Sequence, residues 1–393
     1  MADTRKVKTS TLSYDEKIEY LRKKLENGDI TEAQFEKAVA RIERPLLEVT
    51  NLRKTFPLKK TITGKVTQEL IAVDNVSFTL NRGETLGIVG ESGCGKTTMG
   101  RTILKLHPSN GGKIIFDGKD ITEYNTKQMR DIRTKMQIIF QDPYSSLPPR
   151  STVGDILSEP VKVHKIVPDS EIKSYVLDLM EKCGLRDYYY ERYPHEFSGG
   201  QRQRICIARA LSVKPELVIC DEPVSALDVS IQAQIINLLK ELQRSMGLTY
   251  LFISHDLSVV KFISDKIGVM YLGSMVEYGK KKDIFDNPLH PYTKALFSAI
   301  PNPDPDAKMQ RIPLKGDIPS PANPPKGCKF HTRCDKCMAV CKLKTPSFIE
   351  YGEKHLVACH LYDEEVMANL AKYEAELAEI EKAEEKTESL ETK

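Results

Sequence analysis

The stretch ETLGIVGESGCGKTTMG, from Glu84 to Gly100, constrains the fold more than any other. An apolar run of strand character stops at Gly90 and a helical stretch opens after Gly95, with Gly90, Gly95, Lys96 and Thr97 in the pattern G-x-x-x-x-G-K-[ST]. Strand before and helix after are the context this motif requires. The loop residues Gly90, Glu91, Ser92, Gly93, Cys94 and Gly95 let backbone N–H groups close around phosphates, and the helix N-terminus adds its dipole. Lys96 neutralises charge on the β- and γ-phosphates, and Thr97, followed by Thr98 in the same turn, offers a hydroxyl to Mg²⁺.

The surroundings agree with that nucleus. From Leu46 to about Leu272, short β-rich runs such as LLEVTNL, KMQIIF, ELVIC and TYLFIS alternate with helical stretches, the pattern of an α/β core. Within it, residues 151–212 read as a helical insert, with DSEIKSYVLDLMEKCGL as one clear helix. ELVICDEP is an apolar strand ending in two carboxylates, Asp221 and Glu222, at the end where ligands of parallel sheets collect. Asp221 can hold Mg²⁺, directly or through water, and Glu222 can orient and deprotonate an attacking water.

Flanking this core, residues 1–45 carry a predicted helical hairpin over 13–43. Its capping boxes are Ser13 with Glu16 and Thr31 with Gln34, and its apolar stripes are Ile18, Leu21, Leu25 and Phe35, Val39, Ile42. Residues 273–326 hold a further strand, a helix around HPYTKALFSAI and a Pro-rich linker (PNPDP, PSPANPP). A cysteine-rich segment fills 327–361, and an acidic helix fills 362–393, where Val366, Leu370, Tyr373, Leu377 and Ile380 alternate by four and three in a seam too short for a zipper.

Composition narrows the function classes. A net charge of +3 in 393 residues gives no case for broad nucleic-acid binding. There is no secretory signal and no apolar run long enough to span a membrane, so the chain is expected to be soluble and cytosolic. Nine cysteines in that setting argue for reduced thiols or metal ligands rather than a disulfide scaffold, and five of them lie between Cys328 and Cys359.

A second glycine pair, in EFSGGQRQRICIARAL, gives the family resemblance. Ser198, Gly199, Gly200 and Gln201 open a helix and form another anion cradle, which one nucleotide does not need twice. Over about 46–300 the chain resembles an ABC-transporter nucleotide-binding subunit: a P-loop NTPase core with a β-rich subdomain and a helical insert. The resemblance implies that Ser198 to Gln201 are the signature loop, Gln141 in IIFQDPYSS the Q-loop, Ser225 to Asp228 the D-loop, and His255 in LFISHD the switch histidine. It implies a head-to-tail pair of subunits in which the signature of one closes on the phosphate loop of the other. Gln141 would sense Mg²⁺ and the attacking water, His255 would contact the γ-phosphate, and Phe56 in LRKTFP would stack on adenine. Phe197 stands where that family more often has Leu.

A narrower resemblance reaches residue 361. QDPYSSL, YPHEFSGGQRQRICIARAL, HPYTKALFSAIPNPDP, GDIPSPANPP and GCKFHTRC are similar to the F-type ATPase subunit of oligopeptide/dipeptide (peptide/nickel) importers. That implies ATP hydrolysis driving peptide import, with nickel or another small solute as the alternative cargo, and a place on the cytoplasmic face of the membrane. The implied partners are a related D-type ATPase, two transmembrane permease subunits and an extracytoplasmic solute-binding protein. A soluble ABC protein of DNA repair or translation is disfavoured: there is one cassette, a modest insert and no basic groove. Cys328, Cys334, Cys341 and Cys359, spaced C-x5-C-x6-C-x17-C, match four cysteines to which the resemblance assigns a [4Fe–4S] cluster. Four thiolates suit a structural Zn²⁺ equally, and Cys337 could replace one of them or stay a spare thiol.

Overall fold

The computed structural model describes residues 14–61, 66–300 and 311–391. Helices α1 (Tyr14–Glu26) and α2 (Glu32–Glu43) are joined by a turn with Gly28 in the left-handed region. Thr31 and Gln34 exchange both bonds of a capping box, Thr31 N–H to Gln34 Oε1 at 2.9 Å and Gln34 N–H to Thr31 Oγ1 at 3.3 Å. Ser13, the side chains of Glu16 and Ile42, and the linker stretch PNPDP lie outside the described residues.

Two sheets make the core. Long antiparallel strands β1 (Leu47–Lys60) and β2 (Val66–Leu80) combine with β4 (Gly111–Phe116) and β5 (Lys119–Asp120) in the order β2-β1-β4-β5. The second sheet is built on β3 (Thr85–Val89), β6 (Met136–Ile139), β7 (Leu217–Asp221), β8 (Thr249–Ile253) and β9 (Lys266–Tyr271), all parallel. Every residue of β3, β7 and β8 is buried, which is why these strands are continuous apolar runs rather than alternating ones. Helices α3 (Lys96–Ile103), α4 (Thr126–Lys135), α8 (Val229–Met246) and α9 (Leu257–Ile263) connect the strands. The insert contributes α5 (Val153–Val163), α6 (Ile172–Lys182) and α7 (Gly199–Leu211), whose apolar faces share one core with the parallel sheet.

The predicted boundary at 272–273 falls inside a hairpin. Leu272 and Gly273, both at positive φ (43° and 82°), form the tight turn from β9 into the antiparallel β10 (Ser274–Lys280). The same sheet then takes in β12 (Leu356–Val357) and β11 (Ile349–Glu350), so its order is β11-β12-β10-β9-β3-β8-β7-β6. The C-terminal part of the chain is thereby tied into the cassette's own sheet. It also contains α10 (Lys281–Asp286), α11 (Pro291–Phe297) and α12 (Ala339–Leu343). The acidic stretch forms two helices, α13 (Glu364–Ala368) and α14 (Leu370–Glu391), which meet at Asn369. Of its apolar seam, Val366, Leu370 and Tyr373 pack with Val340, Cys341 and Cys328, whereas Ile380 is exposed. The seam's first half is a packing face for the cysteine segment.

Candidate functional site

The loop between β3 and α3 is shaped by backbone crowding. Gly90 has φ +150°, and a Cβ there would stand 2.2 Å from the Met270 carbonyl oxygen; Gly95 has φ +100°, and a Cβ would stand 2.0 Å from that of Ala72. Only glycine fits either place. Lys96 is buried at the loop's base and donates to the carbonyls of Gly90 (2.8 Å) and Glu91 (3.0 Å). Burial pushes the neighbouring Cys94 thiol up from its ordinary value.

Across the loop, the end of β7 supplies two carboxylates with different surroundings. Thr97 Oγ1 donates to Asp221 Oδ1 at 2.6 Å. Asp221 Oδ2 is buried with no hydrogen-bond partner, and the nearest cation, Arg101 Nη2, is 3.6 Å away. Burial raises the Asp221 carboxyl above its usual range, while the Thr97 hydrogen bond opposes the shift. A buried carboxylate oxygen without a donor, beside a threonine hydroxyl, fits an oxygen-preferring cation such as Mg²⁺. Among the described residues, no group of three or more His, Cys, Asp or Glu side chains is arranged to hold a metal ion, so a cation here relies on Thr97 and phosphate oxygens as well as Asp221.

Glu222 follows at φ +49°, a left-handed conformation for a side-chain-bearing residue, fixed by its N–H bonding the Ile253 carbonyl at 2.9 Å. That turn aims its carboxylate sideways: Gln141 Nε2 donates to Oε2 at 2.8 Å and His255 Nδ1 lies 3.2 Å from the same oxygen. Gln141, Glu222 and His255, from three separate segments, thus converge on one wall of a cleft of about 750 Å³. Its other walls are Ser92, Gly93, Gly95 to Thr98, and an apolar side of Phe56, Leu70, Ile71 and Pro321. A cleft of this size with one cationic end and one apolar end suits a nucleotide. Lys54 lies over the Phe56 ring at 4.7 Å.

Ser198 to Gln201 do not line this cleft. Ser198 caps α7, its Oγ accepting from Gln201 N–H (3.4 Å) while Gln201 Oε1 accepts from Ser198 N–H (3.1 Å). Gly200 lets α7 approach Ile231, whose Cγ2 a Cβ would meet at 2.5 Å.

The family model described as "ABC transporter" matches residues 73–225, and the one described as "Oligopeptide/dipeptide transporter, C-terminal region" matches residues 276–341. Oligopeptide transport ATP-binding protein AppF of Bacillus subtilis (strain 168) is 53% identical over 323 residues, covering 81% of this chain and 98% of that protein. The chain belongs to the ATP-binding proteins of the oligopeptide/dipeptide ABC-transporter family. Another relative, dipeptide transport ATP-binding protein DppF of Escherichia coli (strain K12), is 48% identical over 328 residues, covering 83% of this chain and 97% of that one. Among solved structures, the dimeric structure of MJ0796, a bacterial ABC transporter cassette, aligns with TM-score 0.53 and 26% identity, covering 60% of this chain and 98% of that chain. The ABC ATPase fold accounts for the phosphate loop, the paired carboxylates and the parallel sheet between them.

Several residues at this ATPase's cleft were not evident from motifs. Pro321, from the Pro-rich linker, lines its apolar side and accepts the Ile71 N–H at 3.2 Å. Tyr292, fully buried in α11, accepts the Glu91 N–H on its hydroxyl at 2.9 Å. Glu277 on β10 is wholly buried and accepts from the N–H groups of Leu289 and His290 (2.8 and 2.9 Å), with His355 Nε2 at 2.7 Å. It anchors the HPY turn that carries Tyr292. The signal for Tyr292 was the HPYTKALF stretch itself, which has more aromatic and polar detail than a plain helix needs.

In the cysteine segment, Cys341 and Cys359 are buried, Cys328 and Cys334 half-buried and Cys337 exposed. Cys328 N–H bonds the Cys341 carbonyl at 2.8 Å, drawing these two cysteines' backbones together. Burial pushes the Cys328 thiol up to about 12, with Cys341, Cys359 and Cys334 each adding to the rise. Burial likewise lifts Cys359 to about 11, with Cys341 and Cys334 contributing. The thiols are near enough to raise one another's pKa, but among the described residues they are not arranged as a group that could hold a metal ion. The exposed Cys337 thiol faces the Met338 carbonyl at 3.6 Å. Among the described residues, no helix is long and apolar enough to cross a membrane.

Proposed function

We propose that this chain is the ATP-hydrolysing subunit that powers import of di- and oligopeptides, sitting on the cytoplasmic face of the membrane beneath two permease subunits. The observation that carries the reading is the meeting of Gln141, Glu222 and His255 at one point facing the phosphate loop. In this reading Phe56 stacks on adenine, residues Gly90 to Gly95 and Thr98 cradle the phosphates, and Lys96 swings from the loop carbonyls to the β- and γ-oxygens. Mg²⁺, held by Thr97, Asp221 and Gln141, supplies charge neutralisation at the phosphate oxygens. Glu222 takes the proton of the attacking water, Gln141 orients that water, and His255 contacts the γ-phosphate and holds Glu222 in place.

Two finer assignments rest on the same reading. Ser198 to Gln201, turned away from their own cleft, close on the ATP of a second, D-type ATPase subunit, and a solute-binding protein delivers the peptide from outside the cell. Cys328, Cys334, Cys341 and Cys359 hold a [4Fe–4S] cluster, with structural Zn²⁺ as the alternative occupant, once their side chains turn toward one point. Four cysteines that influence one another support this, because a bound cation offsets the effect of the burial that otherwise keeps these thiols protonated. Exposed Cys337 stays outside.

The test is reconstitution. The chain assembled with its second ATPase and permeases should hydrolyse ATP faster when a peptide-loaded binding protein is added. Turnover indifferent to every peptide tried, but stimulated by a nickel-loaded binding protein, would move the cargo to the metal.

A further inference from the structure

Glu91 is the acidic residue in the loop GESGCGKT, next to Ser92 and Gly93, which line the cleft, though Glu91 itself does not. A free carboxylate there opposes binding of a polyanion through a short, poorly screened distance. Glu91 is not free. Arg333, from the cysteine segment, takes both its oxygens, Nη1 to Oε2 at 2.7 Å and Nη2 to Oε1 at 3.1 Å. The fork-to-carboxylate geometry is the strong form of such a pair, and the Arg333 side chain is only 6% exposed. Tyr292 holds the N–H of the same Glu91, and Lys96 holds its carbonyl.

The stretch that delivers Arg333 is itself fixed to the cassette. Lys329 Nζ donates to Asp74 Oδ2 (2.8 Å), Ser274 Oγ (2.8 Å) and the Leu272 carbonyl (3.1 Å). Phe330 is buried among Tyr271, Tyr292 and His290, ring centroids 5.2, 5.4 and 5.6 Å away. The residues between Cys328 and Cys334 thus form a bracket that ends on the phosphate loop.

We infer that Arg333 is a positioning residue for ATP binding: it cancels the charge of Glu91 and pins the loop in the shape that receives the phosphates. The inference rests on the reading of this loop as the ATP site. It makes the cysteine segment part of the nucleotide site without touching the nucleotide.

The experiment compares Arg333→Gln, Arg333→Lys and Arg333→Gln with Glu91→Gln in the full-length chain. It measures magnesium–ATP affinity on the purified protein, and KM and kcat in the assembled transporter. Arg333→Gln should weaken ATP binding and raise KM about tenfold, since one uncompensated charge near a polyanion is worth about that factor. Its kcat at saturating ATP should stay within about twofold, because the loss is in binding and not in the reaction step. Removing the Glu91 charge as well should restore most of the affinity, and Lys, which keeps the charge without the fork, should fall between. If Arg333→Gln binds ATP as the unaltered chain does, the inference fails. It fails equally if the double variant stays as weak as the single one with a lowered Tm, for Arg333 is then only a strut. An unaltered chain that does not bind ATP overturns the site itself, a result visible before any variant is made.

Discussion

At the scale of single residues, Asp221 shows function placed at a cost in stability. Its carboxylate is wholly buried with one oxygen unpartnered, and burial raises its pKa in the folded chain above the unfolded value. For a group shifted that way, the folded state holds the proton more tightly. The associated stability is fully present below the unfolded pKa and is lost as pH rises through the folded one. Asp221→Asn removes the titration while keeping an acceptor for Thr97. The nucleotide-free variant should therefore melt about 2 °C higher near neutral pH, the size expected for about 1 kcal/mol in a protein this large, and the gain should shrink toward acid. The same variant should lose the Tm increase that magnesium–ATP gives the unaltered chain. Melting curves across pH, with and without magnesium–ATP, check both halves. Lys96, Thr97, Asp221 and Glu222 were legible in the sequence because each lies inside a short motif whose spacing carries the chemistry. Arg333 and Tyr292 were not, because they reach Glu91 from 242 and 201 residues away and no local pattern encodes that meeting.

At the scale of elements, the same contrast separates β3 from α14. The buried strands announce themselves as unbroken apolar runs, since both faces of a parallel sheet are covered. The seam of α13 and α14 was legible as apolar spacing but not as to its partner, because spacing identifies a face and not what lies on it. The structure gives that partner: Leu370 and Tyr373 pack against the cluster of Val340, Cys341 and Val366, and Lys344 Nζ reaches the Tyr373 hydroxyl at 3.3 Å. These helices should therefore shield the thiol pocket from solvent. On the proposed [4Fe–4S] assignment, chain prepared anaerobically should be brown, absorb broadly near about 400 nm and carry about four irons. A chain ending at Asn369 should lose that colour to air or chelator several-fold faster, with ATP affinity unchanged. Colourless protein with stoichiometric zinc would assign the pocket to Zn²⁺; equal bleaching rates with and without α14 would remove the shielding role.

At the scale of the whole molecule, the proposed pairing gives one chain half of each of two sites. Its cleft offers the phosphate loop and Glu222, with Asp221 buried behind Thr97, while Ser198 and Gln201 exchange the hydrogen bonds that cap α7 and lie outside the cleft. In the proposed pairing, that helix N-terminus meets the nucleotide of the second subunit. The β10, β11 and β12 strands extend the cassette's sheet from within the chain, and Arg333 holds the phosphate loop. The purified chain should accordingly bind ATP yet hydrolyse it slowly. Adding the second ATPase subunit should raise turnover sharply. Glu222→Gln should keep ATP affinity, lose hydrolysis by about 10², the usual size for removal of a general base, and hold the two ATPases together in ATP. Size-exclusion chromatography with light scattering reads that association directly. An ATP-stabilised dimer of this chain with itself, hydrolysing at the full rate in the assembled transporter, would show that its own signature loop completes its own family of sites and that no second kind of ATPase is needed.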